Sequence, residues 1–159
     1  MTNAPSRADL EDEARQLVLA AFTEDTALAL GVALLGLARA GGLPVVIDIR
    51  SADRCFFHAA LPGSAPLNDL WARRKSATAL VFQEASLLVG TRHREGGGSL
   101  EKNGLPLADH ADHGGAVPIR VRGVGVVAVV TVSGLPQVED HRLAVRALRM
   151  VLEEGQAPA

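Results

Sequence analysis

At 159 residues and 16.6 kDa, 48% of them hydrophobic, the chain is long enough for one domain with a single core and too short to expect a second. A net charge of -2 and a pI near 6.2 exclude the clustered basic excess of a protein that grips nucleic acid through its phosphates, and the short run Arg73-Arg74-Lys75 does not reverse that balance. The single Cys55 excludes an internal disulfide and a thiolate-rich metal site, fits a reducing compartment, and reads as core filler in a predicted strand.

The N-terminal MTNAPSRADLEDEARQ is polar and acidic, unlike a signal peptide. Residues Ala8 to Ala21 predict an amphipathic helix with Leu10, Ala14, Leu17 and Val18 on one face. Thr23 is a good cap for a second helix, with Glu24 and Asp25 in its first turn and Gly41-Gly42 as its stop. Between these ends Ala27 to Ala40 is apolar nearly all round, which predicts burial in the core or at a subunit contact. It is too short to span a bilayer comfortably, so a cytoplasmic protein with neither membrane nor nucleic-acid partners is expected.

From Pro44 a strand places Val45, Ile47 and Ile49 on one face and Asp48 and Arg50 on the other, and Ser51-Ala52-Asp53 turns it into a partner from Arg54 to Ala60. This hairpin contains no glycine-rich turn, which disfavours a dinucleotide-binding fold. A rigid loop, Leu61 to Pro66, leads to Asn68 or Asp69 as cap for a third helix from Leu70 to about Gln83. Ser86 to Arg92 is ambiguous between helix and strand. Residues 92–115, rich in glycine and histidine, read as a mobile surface loop with one helical turn near Leu107 to His110. Alternation at Val117, Ile119 and Val121, a turn at Gly123 to Gly125, and the unbroken apolar run Val126 to Val132 predict a second hairpin whose last strand lies mid-sheet, covered on both faces. A final helix, Gln137 to Leu152, ends before Gly155. The architecture is an α/β sandwich on a mainly antiparallel sheet.

The last third concentrates the candidate chemistry. Ser133, Gly134, Asp140 and His141 fall where a strand exits and a helix begins, a place where exposed N–H groups can hold an anion. Ser133 lacks the flanking glycines of a hydrolase nucleophile turn, and His110-Ala111-Asp112-His113 resembles a metal cluster in residue type alone, so no metal site is expected. Gly114-Gly115 permits a tight turn or cradles a phosphate. His58 reads as a partly buried strand histidine, and Arg73 to Lys75 as a solvated helix face or an anion clamp beside Trp71.

The segments PVVIDIR (44–50), FFHAALPGSAP (56–66), NDLWARRK (68–75), HGGAVPIRVRGVGVV (113–127) and VSGLPQVEDH (132–141) are, in order and spacing, those of a known family. The chain resembles the GlcG/HbpS-like proteins, often labelled haem-degrading domains, and among them the branch of small single-domain proteins. The resemblance implies a profilin-like three-layer α/β/α fold with a five-stranded antiparallel sheet, assembled as a homo-oligomer. It also implies a haem or related tetrapyrrole ligand in some members, redox sensing or fusion to cobalamin enzymes in others, and in one eukaryotic relative a partnership with protein-targeting machinery. On that basis His58, His113 and His141 are candidate axial ligands. Arg73, Arg74 and Lys75 are candidate partners for propionates, with Gly114, Gly115, Ser133, Gly134 and Asp140 completing the site. The expected function is binding or degradation of haem or another small anionic ligand by an oligomer. The alternatives are a non-catalytic adaptor that docks other proteins, and an enzyme using His141 or His113 as a base beside Asp140.

Overall fold

The computed structural model describes residues 3–156; residues 1–2 and 157–159, the two ends of the expected 1–159 domain span, lie outside them. Its elements run α1 (Arg7–Gln16), β1 (Val18–Leu19), α2 (Glu24–Ala40), β2 (Val46–Arg50), β3 (Cys55–Ala60), α3 (Pro66–Phe82), α4 (Ser86–Gly96), a short 3-10 turn (Glu101–Asn103), β4 (Ala116–Val121), β5 (Gly125–Ser133) and α5 (Gln137–Gln156). The five strands form one sheet in the order β1-β4-β5-β2-β3, antiparallel throughout except for β1 against β4. The apolar run of β5 lies at the centre of the sheet, where Ala128, Val130 and Val132 join Ile47, Ile49 and Ile119 under α2 and α5. On the opposite face Val129 meets Ala79 of α3, and the Ser76 and Thr131 hydroxyls bond at 2.8 Å, so α3 sits on small and polar residues. The result is helices on both faces of an α/β sheet, the three-layer class expected.

Local chemistry sets most boundaries as anticipated. Thr23 and Thr26 cap α2 reciprocally, and Leu43 N bonds back to Ala38 O past the Gly41-Gly42 stop. Several boundaries differ. α1 stops at Gln16, because Leu17 and Val18 leave the helix and Val18–Leu19 adds a two-residue strand beside Arg120 and Val121. α3 begins a turn early: Pro66 takes the first helical position, where a missing N–H costs nothing, and Asn68 Oδ1 accepts from Ala65 N. Ser86 to Arg92 is helical, and α4 continues to Gly96, into the segment that reads as loop. The rest of that segment is tied down by buried Leu100, by Arg74 Nε on Leu107 O at 2.8 Å, and by Ala111 N on Thr78 Oγ1 at 3.0 Å. α5 runs past Gly155. Cys55 is exposed on the edge strand β3, not core filler.

Candidate functional site

The exit of β5, the start of α5, the first half of α3 and the turn before β4 meet around a cleft of about 230 Å³. Its floor is a buried ion pair. Lys75 Nζ lies 3.1 Å from Asp140 Oδ2 and also donates to Val132 O at 2.7 Å and Gly114 O at 3.1 Å, so all three ammonium protons have acceptors. Asp140 in turn accepts from Leu135 N (2.9 Å) and Gly134 N (3.3 Å). Burial pushes the Asp140 carboxyl up and the Lys75 ammonium down, and each charge partly offsets that for the other. The anion expected at this strand-to-helix junction is therefore the chain's own Asp140 carboxylate.

Backbone shape is fixed by the same contacts. Gly134 has φ +150°, and a Cβ there would stand 2.4 Å from Pro44 O; one on Gly114 would stand 2.4 Å from Gln137 O. Gln137 Oε1 also accepts from Gly114 N at 2.9 Å, which ties the turn carrying His113 to the first residue of α5. Gly115, with φ +137°, lies beneath the cleft against Val132 O and lines no part of it.

The rim is different. His113 has 53% of its side chain exposed and stands edge-on to Trp71 with ring centroids 5.0 Å apart. Its Nδ1 faces Asp112 Oδ1 at 3.7 Å, while Asp112 Oδ2 is held by His93 Nδ1 at 2.7 Å. His113 Nε2 has no partner among the described residues. At that distance Asp112 places a negative charge beside the His113 ring without hydrogen-bonding it, and its bond to His93 holds the carboxylate there. Gly90 of α4 permits it, since a Cβ there would overlap Asp112 O. Ser133, Leu135, Asn68 and Gln137 complete the lining.

Of the eleven candidate residues, Lys75, His113, Gly114, Ser133, Gly134 and Asp140 line this cleft. The others are elsewhere. His141 is sealed on the α1 side, its Nε2 2.6 Å from Glu13 Oε1 and its Nδ1 unpartnered among the described residues. His58 bonds Asp69 Oδ1 at 2.8 Å and lies 3.9 Å from Asp48 Oδ2, between two carboxylates. The cation cluster is split three ways: Lys75 is buried, correcting its reading as solvated, Arg74 stacks on Trp71 at 4.5 Å and bonds Leu107 O, and Arg73 is exposed away from the lining. No anion clamp is assembled from the three. His110 Nδ1 lies 3.2 Å from its own Pro106 O, and among the described residues no group of three or more His, Cys, Asp or Glu is placed to hold a metal ion. Sequence reasoning passes over Asn68 and Gln137 as lining residues and over the His93–Asp112 pair. The pair is invisible because its members are 19 positions apart on a helix and a loop.

A family model for haem degrading proteins of the HbpS-like type matches residues 22–149. The chain belongs to this family. The HbpS-like protein is 52% identical over 152 residues to a UPF0303 protein of Streptomyces coelicolor, covering 95% of this chain and 96% of that one. The crystal structure of the Ybr137w protein superposes with a TM-score of 0.87 at 33% identity, covering 98% of this chain and 92% of that chain. A PduOC:heme complex, 20% identical and covering 81% and 94% of the two chains, shares the fold with a TM-score of 0.69. No helix among the described residues is long and apolar enough to cross a membrane.

Proposed function

We propose that this HbpS-like protein is a cytoplasmic homo-oligomeric binding module that presents His113, at the cleft rim, to haem or a related tetrapyrrole. The observation that carries the reading is the His113 imidazole: half-exposed, edge-on to Trp71, near the Asp112 carboxylate, and with Nε2 free of partners among the described residues. Support also comes from the family's description and from the structural likeness to a protein whose structure is a heme complex. Binding demands an axial ligand, an apolar slot and counter-charges for propionates. The rim supplies the first, and Trp71 and Leu135 supply part of the second. A cleft of about 230 Å³ is smaller than the roughly 300–1,000 Å³ of pockets that enclose drug-sized ligands, so the macrocycle would lie across the rim with its other face covered by a second copy. When bound, the group supplies its own redox and ligand chemistry; this chain's residues orient it and exclude water from one face.

Titrating the full chain with haemin tests the reading. A saturable Soret shift that His113→Ala weakens about tenfold or more is expected; no shift, or one untouched in His113→Ala, overturns it. The adaptor reading is favoured by Leu67 and Leu70, 61% and 50% exposed on α3. A stoichiometric protein partner lost on Leu67→Ser/Leu70→Ser but kept in His113→Ala would select it.

A further inference from the structure

Helix α2 contains two interior glycines, five positions apart, and only one is accounted for inside the protomer. A Cβ on Gly31 would stand 2.4 Å from the Phe57 ring, so that glycine lets β3 approach the helix. A Cβ on Gly36 would meet nothing within 4 Å among the described residues. Glycine in a helix interior costs about 0.5–1 kcal/mol relative to alanine, and no contact of this fold recovers it. Gly36 lies on the outer face of α2, on a stripe of exposed residues at helical spacing: Asp25, Leu28, Ala29, Val32, Gly36 and Arg39. Leu28 and Val32 are 50% and 62% exposed, and neither Asp25 nor Arg39 has a side-chain partner among the described residues.

The stripe is self-complementary about Val32. Leu28 and Gly36 are four residues to either side of it, and Asp25 and Arg39 seven to either side. Two copies of α2 packed antiparallel with the two Val32 residues on a two-fold axis would set each Leu28 into the open space over the other copy's Gly36. Each Asp25 would face the other copy's Arg39, about 10 Å from the axis at 1.5 Å per residue. A knob opposite a hole and a carboxylate opposite a guanidinium, both repeated by one symmetry operation, make an isologous interface.

We infer that the outer face of α2 is the contact for a second copy of this chain, paired antiparallel about Val32 with Leu28 on Gly36 and Asp25 on Arg39. The other surfaces of α2 are already used, against α5 and the β2–β3 hairpin. The contact lies on the sheet face opposite α3 and away from the cleft, so it stands independently of the tetrapyrrole reading, and failure of either leaves the other intact.

The experiment is oxidative cross-linking of the full chain carrying Cys55→Ser and Val32→Cys, followed on non-reducing electrophoresis. A disulfide-linked dimer should form across the axis. Adding Asp25→Arg or Arg39→Asp alone should lower the cross-linking rate about tenfold by placing like charges opposite each other twice, and combining the two should restore it. Gly36→Leu should lower it similarly while leaving the melting temperature of the protomer unchanged or higher, since leucine is the better helix former. Restoration by the double reversal, with loss in Gly36→Leu, supports the interface. Absence of the disulfide-linked dimer, equal rates in single and double reversals, or full cross-linking in Gly36→Leu overturns it.

Discussion

Lys75 and His113 line the same cleft, are both basic, and read alike as ligand partners in the sequence, yet they differ in what the fold leaves them to do. Every proton of the Lys75 ammonium is spoken for by Asp140, Val132 O and Gly114 O, while His113 keeps one ring nitrogen without a partner among the described residues and half its surface in solvent. The floor of the cleft is thus a tie between α3, β5 and α5, and the rim is the part available to a ligand. Residue type alone does not separate the two; counting satisfied donors and acceptors does.

The largest effect should break the floor. Lys75→Met leaves the Asp140 carboxylate buried without its counter-charge and should cost about 3–5 kcal/mol in urea unfolding, whereas His113→Ala at the open rim should stay within about 0.5 kcal/mol of the parent. Similar losses in the two variants would erase the distinction. Gly134→Ala should rank next, at about 1–3 kcal/mol, because φ +150° and the approach of Pro44 O leave a methyl group no space. A neutral Gly134→Ala would mean the junction is softer than its contacts indicate.

A smaller effect is the pH dependence of the floor. Burial raises the folded Asp140 carboxyl above its ordinary value of 3.8, so the folded protein holds that proton more tightly than the unfolded chain. The stability this group contributes is complete below pH 3.8 and is lost as pH rises through its folded value. The stability margin of the parent over Asp140→Asn, measured by urea unfolding at stepped pH, should therefore shrink as pH climbs through that window; a margin that grows there would contradict the burial assignment. The smallest effect belongs to Trp71→Phe. It keeps an aromatic edge beside His113, and the haemin affinity should fall less than in Trp71→Ala.

Much of this fold is legible in the chain. The alternation of Val45, Ile47 and Ile49, the unbroken run of β5 and the capped, glycine-terminated α2 each carry their own local signal, and each lies where its pattern puts it. α4 is ambiguous in the sequence because Ser86-Leu87-Leu88-Val89 forms a short, largely apolar run of a length that suits either structure, and its helix is settled by packing Leu87 and Leu88 on Leu10 of α1. β1 escapes notice because two residues carry no period. Within the site, the strand-to-helix junction can be read but not its occupant. The burial of Lys75 depends on Asp140, 65 positions later, and nothing around Arg73-Arg74-Lys75 distinguishes the one inward-facing cation. His141 and His58 are plausible ligands by type, and are excluded from the cleft by partners, Glu13 and Asp69, that no local pattern announces.

The central claim, that His113 and not its fellow histidines meets the ligand, is tested most directly by following the imidazole carbon-bound protons by NMR as diamagnetic gallium protoporphyrin is added to the full chain. The His113 resonances should shift progressively to saturation while those of His141 and His58 stay in place. Stationary His113 resonances at saturating porphyrin, or shifts confined to His141 or His58, would contradict it.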